Sequence, residues 1–201
     1  MIIGCLISGR GSNLEAILRA IERGTLTASV RIVISNRPDV PGLHHATSRA
    51  IETAVVRPAD YADREDYDRA LAQRLRTAGV DTVVLAGFDR IVTSALLHQF
   101  PNRVVNIHPA LLPAFPGLHA QRQALQHGAR ITGVTVHLVD EQVDHGPILG
   151  QIAVAVREDD TEATLAARIL EEEHRLFPAV LQRMADGRLH IDGRRVQGGL
   201  P

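Results

Sequence analysis

The chain has 201 residues, of which 45% are hydrophobic and 22% charged, with a formal net charge of −1. That length can bury a sizeable core in one large domain or two tightly fused lobes. The near-neutral balance offers no broad basic field for nucleic acid or an anionic membrane, and no apolar run approaches the roughly 20 residues of a membrane span. All 22 basic residues are arginine. The absence of lysine excludes Schiff-base chemistry and a P-loop lysine.

The first segment, Ile2 to Ile7, reads as a strand with no charged region before it, so a secretory signal is not expected and a cytoplasmic location is. The lone Cys5 lies inside it and reads as a small buried hydrophobe rather than a nucleophile. A helix over Asn13 to Arg23 follows, then a strand at Val30 to Ser35, a short helix at Leu43 to Ala50 and a strand at Ala54 to Val56. Arg64 to Thr77 has helix-forming composition, with Gly79 placed to end it, and Thr82 to Ala86 is a continuous apolar run typical of a central strand. Strands alternating with helices of this length predict βαβ units and a parallel sheet.

Arg103 to His108 reads as a buried strand ended by Pro109. Three prolines (Pro109, Pro113, Pro116) and Gly117 then make a loop suited to covering a site. A short helix over Gln121 to His127 precedes two strands, Ile131 to Val139 and Ile148 to Val156, joined by a polar turn from Asp140 to Pro147. A long helix is expected from about Thr161 towards Arg183, and one tail strand within Arg188 to Val196. No repeat or low-complexity linker interrupts the chain, which reads as one continuous sheet in a single domain, 1–201.

Four features carry chemistry. Asn106 and His108 alternate along their strand, share one face, and could donate to one oxygen as an oxyanion site requires; alternatively they satisfy the loop backbone. Ser8-Gly9-Arg10-Gly11-Ser12-Asn13-Leu14-Glu15 is a glycine-bearing turn opening an amphipathic helix, with Ser12 and Glu15 spaced as a capping box. Free amides at such a start suit a phosphate; alternatively the motif is only a tight strand-to-helix turn with an ordinary cap. The dinucleotide version is weaker, since Leu14 stands where a third glycine would and Ser35-Asn36 where an acid would. Asp144 either orients an imidazole or stabilises its own turn. Glu173 falls within the apolar stripe of Ile169, Leu176 and Val180, a costly place unless it faces a cleft or forms a buried ion pair. There is no paired-cysteine or H-E-x-x-H metal spacing, and His44-His45 reads as a solvated pair, so no metal is expected. No G-x-S-x-G elbow occurs.

Taken together, these segments resemble the folate-dependent formyltransferases, and within them the branch acting on glycinamide ribonucleotide. The resemblance runs from Ile2 to about Leu189. It rests on Ser8-Gly9-Arg10-Gly11-Ser12-Asn13-Leu14, Val84-Leu85-Ala86-Gly87-Phe88-Asp89-Arg90-Ile91, Asn106-Ile107-His108, Leu111-Leu112-Pro113, Pro116-Gly117-Leu118-His119 and Asp144-His145-Gly146-Pro147. It implies a Rossmann-like α/β fold: a mostly parallel twisted sheet with helices on both faces, a phosphate-binding half (1–100) and a catalytic, folate-binding half (101–201). By similarity Asn106, His108 and Asp144 take the catalytic positions. Gly11, Ser12 and Asn13 would hold the substrate phosphate, and Glu173 the glycinamide part. Arg64, Asp89, Arg90, Ile91, Val92, Asn106, Asp140, Glu141, Val143 and Asp144 would contact the folate. The chain departs from the bacterial pattern at Asp89 (commonly methionine), His145 (commonly glycine), Ala110 and Ala114.

The implied reaction moves the formyl group of 10-formyltetrahydrofolate, a co-substrate, onto the amine of glycinamide ribonucleotide, in purine synthesis. A formyltetrahydrofolate deformylase, with water as acceptor, is the alternative, and it needs no phosphate turn. A methionyl-tRNA formyltransferase would carry an additional RNA-binding domain, and a non-catalytic nucleotide-binding module would not need three separated catalytic positions. Partners are expected to be small molecules, without nucleic acid or membrane, for a monomer or homodimer.

Overall fold

A computed structural model of the chain describes residues 1–200. They form two compact units that divide between Asn106 and Ile107.

The first unit alternates strand and helix as the apolar periodicity requires: β1 (Ile2–Ile7), α1 (Ser12–Glu22), β2 (Ser29–Ser35), α2 (Pro41–Thr47), β3 (Glu52–Val55), α3 (Arg64–Thr77), β4 (Thr82–Leu85), α4 (Ser94–Leu97) and β5 (Val104–His108), the last running across the division. Its strands lie in the order β3-β2-β1-β4-β5, all parallel. β1 and β4 are buried almost throughout, as strands covered on both faces must be. Gly4 in β1 makes room for α3: a Cβ there would lie 2.3 Å from Leu75 Cδ2. Asp63 caps α3 by accepting from Asp66 N–H at 2.8 Å, and Gly79, at φ 73°, follows its end. Cys5 is fully buried and burial pushes its thiol up to about 12, so it stays an inert hydrophobe.

The second unit holds α5 (Ala120–Gln126), β6 (Ile131–Leu138), β7 (Ile148–Ala155), α6 (Glu162–Ala185), β8 (His190–Asp192) and β9 (Arg195–Gln197). β6 and β7 pair antiparallel. α6 starts in a capping box in which Thr161 and Thr164 each bond the other's backbone N–H. It buries Leu165, Ile169, Leu176, Phe177 and Val180.

Three expectations are corrected. The tail is a two-stranded hairpin, β8 and β9, turned at Gly193, not one strand. The helix start at Ser12 carries no capping box; Gly11, in the left-handed region, takes the cap position, and no side chain bonds there. Glu15 instead meets Arg19, Arg49 and His45, so His45 is half-buried in an ion-pair cluster rather than solvated.

Candidate active site

In the first unit, the loop after β1 turns into α1 through Gly11 (φ 73°). A Cβ on Gly11 would lie 2.6 Å from Gly42 Cα, and Gly42 N–H donates to Gly9 O at 3.0 Å. The turn is thus packed against the start of α2, and its glycine is required by the backbone itself. Ser12 and Asn13 occupy the first turn of α1, where helix amides lack intrahelical acceptors and a phosphate is favoured.

The segment after β4 is held from several sides. Arg64 Nη2 donates to Ile91 O at 3.0 Å, Arg90 lies 5.6 Å over the Tyr67 ring, and Thr93 N–H donates to Asp68. Asp89 accepts from Ser8 Oγ (2.8 Å), from Asn36 Nδ2 (2.7 Å) and from Arg37. Burial alone would push the Asp89 carboxyl up, but these donors hold it below the usual carboxylate range. Ile91 is exposed and Val92 buried.

β5 carries Asn106 and His108 at alternate positions. His108 is only 4% exposed. Its Nε2 lies 2.8 Å from Phe115 O, so that nitrogen carries a hydrogen, and its Nδ1 lies 3.3 Å from Asp144 Oδ2. Both partners are acceptors, which suits the imidazolium, while burial disfavours it. Burial wins, and the His108 pKa lies below the ordinary imidazole value. Asp144, at φ 50° in the turn after β6, also accepts from Gly117 N–H at 2.8 Å and lies 3.6 Å from His137 Nε2. Burial pushes its carboxyl up, but His137, Gly117 and His108 together hold it below the usual range. The carboxylate therefore sits between two imidazoles instead of merely bracing its own turn.

His137 was not anticipated. Its signal was available: a histidine at an inward position of an apolar strand, two residues after Thr135. Thr135 itself fixes the loop after His108, donating to Ala110 O (2.7 Å) and accepting from Leu112 N–H (3.0 Å), with Gln151 donating to Leu112 O (2.9 Å). Glu173 is 8% exposed on the inward stripe of α6, as its periodicity predicts. Asp140, Glu141 and Val143 lie in the turn joining β6 and β7, where Asp140 accepts from His145 Nδ1 at 2.7 Å. Among the described residues no cluster of three or more His, Cys, Asp or Glu is placed to hold a metal ion.

This arrangement has known relatives. Residues 1–181 match the formyl transferase family.

The chain belongs to the formyl transferase family.

It is 41% identical to the phosphoribosylglycinamide formyltransferase of Escherichia coli, over 98% of this chain and 96% of that protein. It is 45% identical to the trifunctional purine biosynthetic protein adenosine-3 of Drosophila melanogaster over 92% of this chain, but spans only 14% of that much longer protein. Glycinamide ribonucleotide transformylase 1 of Symbiobacterium toebii superposes with a TM-score of 0.97 and 51% identity, over 100% of this chain and 94% of that one. The α/β formyltransferase fold expected from the sequence is therefore the fold of this chain, and it is an enzyme fold of the transferase class. Among the described residues no helix is long and apolar enough to cross a membrane.

Proposed function

We propose that this chain transfers the formyl group of 10-formyltetrahydrofolate to the amine of glycinamide ribonucleotide, giving formylglycinamide ribonucleotide in purine synthesis. The observation that carries the reading is the pairing of buried His108 with Asp144, two residues along the strand from Asn106, in a chain with this family membership. Gly11, Ser12 and Asn13 bind the substrate phosphate and Glu173 the glycinamide part. Arg64, the 89–92 segment, Asn106 and the turn residues Asp140, Glu141, Val143 and Asp144 contact the folate. The enzyme works in the cytoplasm on small molecules.

The neutral amine attacks the formyl carbon directly, so no covalent enzyme intermediate is needed, in keeping with an inert Cys5 and no lysine. The new C–N bond leaves a tetrahedral carbon bearing an oxyanion. The Asn106 amide and the His108 imidazolium donate to it, His108 through Nε2–H as that hydrogen turns from Phe115 O to the oxyanion while Nδ1–H stays on Asp144. Burial makes the imidazolium costly on its own, while Asp144 and the growing oxyanion both favour it, so the donor strengthens as the charge develops. Asp144 steadies the imidazolium while the proton lost by the attacking amine passes to the departing folate nitrogen. Collapse releases tetrahydrofolate and the formamide.

The test is release of tetrahydrofolate from 10-formyltetrahydrofolate with and without glycinamide ribonucleotide. Release that depends on the amine, with formylglycinamide ribonucleotide as product, is expected. Equal release without it would make water the acceptor and the chain a deformylase.

A further inference from the structure

The Asp89 side chain ties together segments far apart in the chain. Its Oδ1 accepts from the Ser8 hydroxyl at 2.8 Å, while that same hydroxyl accepts from the Asp89 N–H at 3.0 Å. Ser8 and Asp89 thus close a reciprocal pair across 81 residues of chain. Oδ1 also accepts from Asn36 Nδ2 at 2.7 Å, and Oδ2 from Arg37. One carboxylate therefore gathers the C-terminal ends of β1, β2 and β4. Ser8 is 6% exposed and immediately precedes the Gly9-Arg10-Gly11 turn. Its N–H also donates to Gly87 O at 3.1 Å, a second tie between the same two segments.

We propose that Asp89 is a positioning residue that locks the backbone of the 89–92 segment to the phosphate turn, so that the two are held in place together. The proposal rests on the reading that the turn binds phosphate and the segment binds folate. The carboxylate faces Ser8, Asn36 and Arg37 in this structure, and is committed to the protein. Two acceptor oxygens filled by an O–H, an amide N–H and a guanidinium leave little reason for it to seek the pterin, and charge-assisted bonds of this kind hold geometry better than neutral ones. The neighbouring restraints on Arg90, Ile91 and Thr93 fix the rest of the segment, and Asp89 links it through a side chain to the turn's own strand end.

The test is calorimetric titration of Asp89→Ala, Asp89→Asn, Ser8→Ala and Ser8→Ala/Asp89→Ala with tetrahydrofolate and, separately, with glycinamide ribonucleotide. Asp89→Ala should weaken both ligands by about 10–100-fold, the loss of roughly one charge-assisted hydrogen bond expressed as affinity. Asp89→Asn keeps an acceptor for the Ser8 hydroxyl and should restore most of that loss. The double variant should bind no worse than Asp89→Ala, and in turnover KM should rise more than kcat falls. Unchanged affinities in Asp89→Ala, even with a lowered melting temperature, would reduce Asp89 to a structural residue and overturn the proposal. Loss confined to tetrahydrofolate would overturn it too, by making the Asp89 carboxylate itself, rather than the backbone it holds, the folate contact. If the parent protein binds no tetrahydrofolate, the folate reading itself falls, and this proposal with it.

Discussion

At the scale of single residues, the proposed chemistry rests on the contact between His108 and Asp144. His108→Ala and Asp144→Asn should each lower kcat by about 10²–10³ with the fold intact by circular dichroism, the usual loss for a donor or its partner at an oxyanion. The double variant should be little worse than the worse single, because groups acting as a unit are not additive; independent, multiplying losses in a turnover assay would break the coupling. The same groups set a pH dependence of stability. Both folded pKa values lie below their unfolded ones, so the unfolded chain binds more protons and stability rises with pH. The His108 contribution is complete above its unfolded value of about 6.5 and is lost as pH falls towards its lower folded value; that of Asp144 is complete above about 3.9 and is lost below it. Denaturant unfolding followed across about pH 3–8 should show both slopes. His108→Gln should flatten the upper one and Asp144→Asn the lower; an unchanged profile in either variant would remove that residue from the linkage.

At the scale of elements, α6 shows what capping contributes. Thr161→Ala removes the side-chain acceptor for Thr164 N–H and should cost about 1 kcal/mol, read as a lower urea midpoint with an unchanged m-value. An unshifted midpoint would mean that the helix start is held by packing alone. α3 was legible from its helix-forming composition and from Gly79, a local signal at its end, while the cap at its start, Asp63, was not singled out. The start of α1 was not legible. Ser12 and Glu15 have capping-box spacing, but Gly11 in the left-handed region takes the cap and the α1–α2 ion pairs claim Glu15, a tertiary effect that no local pattern carries. The tail hairpin was missed because three-residue strands around Gly193 show too little alternation to be told from one strand. In the site, Asn106 and His108 were legible as strand neighbours and Glu173 as a break in an apolar stripe. The His108–Asp144 contact was not, since it joins residues 36 positions apart (144 − 108) through a turn whose path the sequence leaves open. His137 escaped notice for the same reason: its function lies in what it faces.

At the scale of the whole molecule, the charge balance decides how a phosphorylated substrate can be recognised. The net charge is −1 and many arginines are spoken for by carboxylates, as with Arg49 and Glu15, Arg168 and Asp160, or Arg122 and Glu162. Little field remains for steering an anion from a distance, which agrees with the proposal that short-range amides at the start of α1 recognise the phosphate. The obvious mutation, Gly11→Val, cannot test this cleanly: its Cβ would strain the backbone and collide with Gly42 Cα whether or not phosphate binds. Changing the ligand does test it. Glycinamide riboside, which lacks the phosphate, should show a KM at least about tenfold higher than glycinamide ribonucleotide, the scale of one or two hydrogen bonds to a charged group. Raising salt from about 0.05 to 0.2 M should change the ribonucleotide KM by less than about threefold, because screening acts mainly on charges separated by more than a Debye length. A riboside that performs as well as the ribonucleotide would remove the phosphate from the turn. A KM that climbs steeply with salt would instead assign its recognition to the arginine surface.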